Sequence, residues 1–357
     1  MSRYKVKGLP WEHGIGTQVT ECHTSREVMQ KANLNWFVNK CELMAEMPFT
    51  LHGDNTITDA DKLAGTFSRD GYIYRNCPNA YATYRTDLNI PLGLVKSKYE
   101  VVQNVDAFNF FDEAIGEGKA LWQYAGMFGY GHKIFVCAKL PIETSVNGDP
   151  IDNYLVFSNS HDGTSSITIM FTPIRVFCTN CLNAGLKSTD SYIRIRHTES
   201  VKEKIEKGSE ILRIACENAK TSQELYHSLH KITMRDDEVL NYICQLVLTE
   251  TEYNAVLEYD STKGFEKLKN KNIYAIEASK VSINKANKIA TIYDYYFNGV
   301  AQENIIGTGW GAYNAITGYF SNVANLVGEK RMDSLLWNNG NRVTQTAIEN
   351  IFNFKAA

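Results

Sequence analysis

Proline is scarce in this chain, 7 of 357 residues, and no low-complexity linker or internal repeat interrupts it. Few prolines beside 20 Tyr and 16 Phe fit an ordered fold with wide apolar faces. Long apolar runs are missing as well. No stretch approaches the roughly 18–20 residues of a membrane span. Met1–Gly16 mixes Arg3, Lys5, Lys7, Glu12 and His13 with glycines and holds no apolar core of signal-peptide length, so a cytoplasmic protein is expected. An excess of one charge is absent too. The 37 Lys and Arg stand against 40 Asp and Glu, a net charge of −3, which excludes a uniformly basic nucleic-acid binder but leaves room for a locally basic groove. At 22% charged residues, wholesale disorder is excluded.

Eight cysteines are present, but their spacing is no disulfide framework, and a chain this long builds its own core. They read as small buried hydrophobes.

The hydrophobic pattern predicts an α+β fold: an antiparallel β-meander with packed helices in the N-terminal half, and mostly helix after it. Residues 1–23 read as an arm, 24–199 as the mixed core and 200–357 as a helical region packed on it. The polar stretch 254–281 is a candidate mobile excursion. Thr24 and Glu27 form a capping box, in which side chains satisfy orphan N–H groups at a helix start; Met29, Ala32 and Trp36 follow at helical spacing. Strands are expected near 41–47, 80–87 and 101–104, then a helix from Asn104. Lys133–Leu140 alternates, with Ile134, Val136, Ala138 and Leu140 on one side and Phe135 and Cys137 on the other. Strands at 153–160 and 165–172 flank a His161-Asp162-Gly163 turn. Residues 174–186 read as a strand end entering a short helix, and 192–197 as another strand. Ser200 with Glu203, and Thr221 with Glu224, look like the caps of two successive helices. Later helices fall near 236–248, 283–297, 312–327 and 342–352. Hairpins without crossover helices argue against a doubly wound dinucleotide fold.

Most motifs carry a plain structural reading. Cys178-Thr179-Asn180-Cys181 is the one C-x-x-C; with His227 and His230, at i and i+3 on a helix, it makes a candidate zinc set, against which stands simple packing of two thiols. Gly307-Thr308-Gly309-Trp310-Gly311 lacks the Gly-Lys-Ser/Thr ending of a phosphate loop and reads as a glycine-rich entry to a helix. Ser158, Ser160, His161 and Asp162 are neighbours in sequence, but a triad is a matter of geometry, and no G-x-S-x-G or H-E-x-x-H accompanies them.

Charge clustering is the more suggestive signal. Lys263, Lys267, Lys269, Lys271, Lys280, Lys285 and Lys288 meet only Glu266 and Glu277 within 263–288, a local balance of +7 − 2 = +5. A second cluster holds Arg175, Lys187, Arg194 and Arg196, the last two spaced to share a strand face. Such groups hold phosphates, and Trp310 and Tyr313 are candidate stacking partners for bases. The plain alternative is a solvated surface.

Two segments resemble a known family: Ser158–Gly163 with Phe171–Leu182, and Thr308–Thr317. They are similar to the phage/plasmid-like protein family, a domain-of-unknown-function group of phages, prophages and plasmids. The resemblance implies a mobile-element protein in a bacterial host cell. The layout of hairpins and a long basic helix is also similar to single-strand annealing proteins of the Redβ/RecT type. The leading expectation is therefore an oligomeric protein that binds single-stranded nucleic acid, with strand annealing or recombination as its task. It would need no cofactor and contact no membrane. Two other readings stand beside it: a counter-defence module that binds a host protein, and a zinc-dependent enzyme using the Cys and His pairs. The sequence leaves catalysis open and leans against it.

Overall fold

The computed structural model describes residues 3–12, 14–48, 66–69, 72–116, 120–182, 192–198 and 208–356. Its centre is a seven-stranded antiparallel sheet. Strands β1 (Gly16–Gln18), β6 (Leu121–Phe128), β7 (Lys133–Val146), β8 (Asp149–Ser160) and β9 (Ile167–Arg175) lie in that order. Beyond β9, β10 (Asn180–Cys181) pairs with its end at Ile174 and Arg175, and β11 (Tyr192–Ile195) with residues 167–170. A smaller sheet holds β2 (Val38–Pro48), β3 (Phe67–Arg69), β4 (Tyr72–Arg85) and β5 (Ile90–Val95).

The alternation in β7 explains the layering. Ile134, Val136, Ala138 and Leu140 bury with Leu155, Phe157, Ile169 and Phe171. That face packs on Val28 and Met29 of α1 (Ser25–Lys31) and Phe108 of α2 (Asn104–Gly116). Phe135 and Cys137 point the other way and bury with Tyr154, Val156 and Met170 against the helical half. Both faces are therefore core. Each large side chain removed from water in this way contributes about 1.5–3 kcal/mol before entropy is counted.

The helical half runs through α3 (Gly208–Lys231), α4 (Asp236–Val247), α5 (Glu250–Tyr259), α6 (Gly264–Lys269), α7 (Ile273–Ser279), α8 (Ile283–Asn298), α9 (Gly309–Gly318), a π-helical turn (Tyr319–Val323), α10 (Gly328–Leu336) and α11 (Asn339–Ala356). The polar stretch 254–281 is thus built into helices. The N-terminal arm lies over this half. Tyr4 donates its hydroxyl to Asp294 at 2.6 Å, and Arg331 donates to the carbonyls of Gly8 and Leu9.

Several expectations are corrected. The Thr24–Glu27 capping box forms, but α1 ends at Lys31, so Trp36 is not on it. Residues 101–103 are not a strand; they lead directly into α2. Val176–Thr179 form a turn, not a helix start, because β10 folds back onto β9. Thr221 does not cap a new helix: it sits inside α3 and its hydroxyl donates to the Glu217 carbonyl at 3.1 Å. Ser200, Glu203 and Lys187 lie outside the described residues. Among the described residues, no helix is long and apolar enough to cross a membrane.

Candidate functional site

The motif residues build the seam between sheet and helices. Arg175, at the end of β9, is buried and ion-paired through Nε with Asp149 Oδ2; its Nη2 donates to the Ala301 carbonyl at 2.6 Å. Trp310 is fully buried and donates its indole N–H to the same carboxylate. An amide ladder runs beside them. Asn180 donates to Asn314 Oδ1 at 3.2 Å, and Asn322 donates to Asn180 Oδ1 at 3.0 Å. Tyr313 is fully buried against Tyr226. The glycine-rich segment is a close-packing device: a Cβ on Gly311 would lie 2.2 Å from the Ile305 carbonyl oxygen.

This placement corrects three expectations at once. Arg175 is neutralised and enclosed, so it is not a surface phosphate ligand. Trp310 and Tyr313 expose no ring on which a base could stack. Their aromatic and charged character serves the interior, where an unpaired polar group would be costly.

The lysine cluster is likewise divided among local partners. Lys267 donates to Asp260 at 2.7 Å, and Lys285 to Glu252 at 2.6 Å. The hydrogen bond from Lys267 holds the Asp260 carboxyl well below the usual range. Lys269 lies 4.8 Å from the Tyr293 ring centre, and Lys288 lies 4.7 Å from that of Phe320, where burial lowers its amine pKa. Lys263, Lys271 and Lys280 remain exposed. The two carboxylates that matter, Asp260 and Glu252, lie outside the window over which the charges were counted.

The candidate zinc ligands do not form one set. Cys178 and Cys181 are buried in the turn and strand after β9, with Cys178 Sγ 3.7 Å from Arg175 Nη1. Burial raises both thiols, Cys181 to about 12. His227 and His230 belong to α3. Among the described residues, no group of three or more His, Cys, Asp or Glu is placed to hold a metal ion.

A polar cleft forms elsewhere, from residues far apart in sequence. Lys133 enters it from the start of β7, Ser158 from β8, Thr168 from β9 and Arg194 from β11; Asp333 on α10 and Trp337 just after it form the opposite wall. The volume is about 510 Å³. An adjoining depression of about 200 Å³ continues past Arg194 and Trp337 to Asn341, Arg342 and Gln345 on α11. Three cations thus face one carboxylate, Asp333, among the described lining residues. Lys133 lies 3.8 Å from Asp333 and 5.4 Å from the Trp337 ring centre. Arg194 and Arg342 are at exposed positions. Asn341 Oδ1 and Trp337 Nε1 are buried with no hydrogen-bond partner among the described residues. Hydroxyls from Thr164, Ser165 and Ser166 complete the rim. Fixed cations, neutral donors and an aromatic edge are the groups that hold a phosphate-bearing chain.

Of the sequence-predicted phosphate-binding residues that are described, Arg194 alone lines this cleft; Arg196 is exposed just beyond the strand, separated from it by buried Ile195. Lys133, Trp337, Asn341 and Arg342 were missed. The one sequence signal was weak: Arg342 and Gln345 stand at i and i+3 on a predicted helix, a spacing that places them on one face.

Residues 91–347 match a family described as a domain of unknown function, DUF932. The chain belongs to the DUF932 family. No curated protein and no solved structure matches it. Both the buried motif seam and the cleft lie within the DUF932 span.

Proposed function

We propose that this DUF932 protein binds single-stranded nucleic acid, with the phosphates held in the Lys133–Arg194–Arg342 cleft. One observation carries the reading: three cations from β7, β11 and α11 converge on a polar groove with a single opposing carboxylate among its described lining residues. Hydroxyls and amides along the rim supply neutral contacts to phosphate and sugar, and the Trp337 edge offers an apolar contact to a base. The groove replaces the lysine segment 263–288 as the favoured binding surface.

The narrower assignment rests on the motif resemblance, on the likeness in layout to single-strand annealing proteins and on the composition of the N-terminal segment, not on the cleft. It places the protein in the cytoplasm of a bacterial host, as a homo-oligomer encoded by a phage or other mobile element and engaged in strand annealing or recombination. A fluorescence anisotropy titration with a labelled single-stranded oligonucleotide tests binding itself. The expected result is saturable binding at low salt that weakens steadily as salt rises, because phosphate contacts release counterions. Absent binding at low salt, or binding indifferent to salt, would remove the proposal.

A further inference from the structure

The cleft holds one group that a phosphate track does not need. Asp333 lines it, with its side chain 34% exposed, and its Oδ1 lies 3.8 Å from Lys133 Nζ. A phosphate on Lys133 would lie near this carboxylate and be repelled by it, so Asp333 weakens a purely electrostatic grip. A carboxylate only accepts hydrogen bonds. It therefore penalises ligand groups that accept and favours those that donate.

The carboxylate is also held in place. Its Oδ2 accepts from the Asn338 side-chain amide, and the Asn338 backbone N–H donates to the Asp333 carbonyl at 3.0 Å. Oδ1 accepts no hydrogen bond among the described residues, since Lys133 stands beyond hydrogen-bond length. The Trp337 backbone N–H donates to the same carbonyl at 3.0 Å, so Trp337 follows Asp333 by one helical turn. Lys133 Nζ lies close to both, 5.4 Å from the Trp337 ring centre. A base resting against the Trp337 edge therefore has the carboxylate and the ammonium beside it.

Two carboxylate oxygens next to an ammonium offer two acceptors and a donor. The Watson–Crick edge of guanine presents the converse, the N1–H and N2–H donors next to the O6 acceptor. Thymine, cytosine and adenine each present one donor group on that edge, with acceptors for the rest. Oδ2 keeps a lone pair beyond the one that Asn338 uses, and the three N–H donors of Lys133 allow one to reach O6 while others stay on phosphate.

We infer that Asp333, with Lys133 beside it, selects guanine in the bound strand. The inference rests on the cleft reading and adds base preference to it. The other donor a strand can bring is the ribose 2′-hydroxyl, which would make the preference one for RNA and not for a base.

Fluorescence anisotropy of the full chain at low salt, with three labelled deoxynonamers, tests it. One is all thymine, one alternates thymine with guanine, and one alternates thymine with hypoxanthine, which lacks the N2 amino group. The guanine strand is expected to bind at least fivefold more tightly than either of the others. Asp333→Asn keeps the shape of the side chain and turns one acceptor into a donor. It is expected to abolish the preference while the thymine strand binds at least as well as to the parent, because a negative charge leaves the cleft. The thymine strand thus controls for folding of the variant, and the hypoxanthine comparison needs no variant. Equal binding of the guanine and thymine strands, a hypoxanthine strand that binds like guanine, or a preference that survives in Asp333→Asn would each overturn the inference and leave the cleft reading standing. A uridine nonamer bound more tightly than its deoxy counterpart, with guanine conferring nothing, would overturn it in favour of the 2′-hydroxyl. Binding of none of the strands would remove the cleft reading and the inference with it.

Discussion

Trp310 donates its indole N–H to Asp149 Oδ2 at 3.2 Å, joining α9 to the first residue of β8. The glycine-rich segment that superficially resembles a phosphate loop is thus an anchor for the main sheet. Trp310→Phe keeps most of the buried ring and removes the donor, while Arg175 still holds the carboxylate. The expected loss is about 1–3 kcal/mol of unfolding free energy. Urea denaturation reads it, and an unchanged midpoint would show that the hydrogen bond carries no net stability.

The turn after β8 supports the smaller sheet. Thr83 on β4 donates its hydroxyl to the His161 carbonyl at 2.6 Å, and a Cβ on Gly93 of β5 would lie 2.4 Å from Asp162 Cα. Because backbone cannot yield cheaply, Gly93→Ala is expected to destabilise the protein by about 1–3 kcal/mol. A thermal melt that matches the parent's would contradict this direct backbone contact.

Acid is expected to weaken the same junction. His161 is fully buried, and burial lowers its pKa from 6.5 to about 3. Its Nε2 meets Asn104 Oδ1 of α2 at 2.8 Å, Trp36 packs edge-on against it, and Asp162 and His197 are the charged or titratable groups that act on it. His197 is lowered by burial too and stacks on Tyr99. The unfolded chain protonates His161 below about pH 6.5, whereas the folded chain resists this until near pH 3, and the lowered His197 adds to the slope in the same direction. Stability is therefore complete above pH 6.5 and falls as the pH drops toward 3, by about 1.4 kcal/mol per unit for each histidine left neutral. Urea midpoints at pH 7.5, 6 and 5 measure the slope. His161→Gln should flatten it, and an equal slope in that variant would assign the acid sensitivity elsewhere.

Thiol reactivity follows burial. Cys41 is exposed, while Cys178 and Cys181 are enclosed and their thiols are held protonated. Iodoacetamide at neutral pH, read by peptide mass spectrometry, is expected to label Cys41 well ahead of that pair, which should react only on unfolding. Rapid labelling of Cys178 or Cys181 in the native protein would show an accessible dithiol.

Legibility in the sequence followed locality. The β7 alternation could be read because strand periodicity is a local property, and even the burial of Phe135 and Cys137 on the second face was visible there. The Thr24–Glu27 cap was equally local. Residues 174–182 misled because a short apolar run does not distinguish a strand return from a helix start. At Thr221, burial of Ala219, Ser222 and Tyr226 keeps α3 continuous through a plausible cap. The lysine count failed for a related reason, since Asp260 and Glu252 become neighbours only through folding. The cleft left almost no trace in the sequence: Lys133 and Arg342 are separated by most of the DUF932 span.

The most direct measurement compares two neutralised variants for oligonucleotide affinity across salt. Arg194→Gln with Arg342→Gln removes two cleft cations, and the triple change of Lys263, Lys271 and Lys280 to Gln removes the exposed lysines of the helical half. With three phosphate contacts at ~0.7 each, the parent's log–log salt slope should be about −2. The account predicts that the arginine pair loses at least about tenfold in affinity and roughly two thirds of that slope, with the lysine triple within about twofold of the parent. A lysine triple that loses binding while the arginine pair retains it would contradict the cleft as the binding surface.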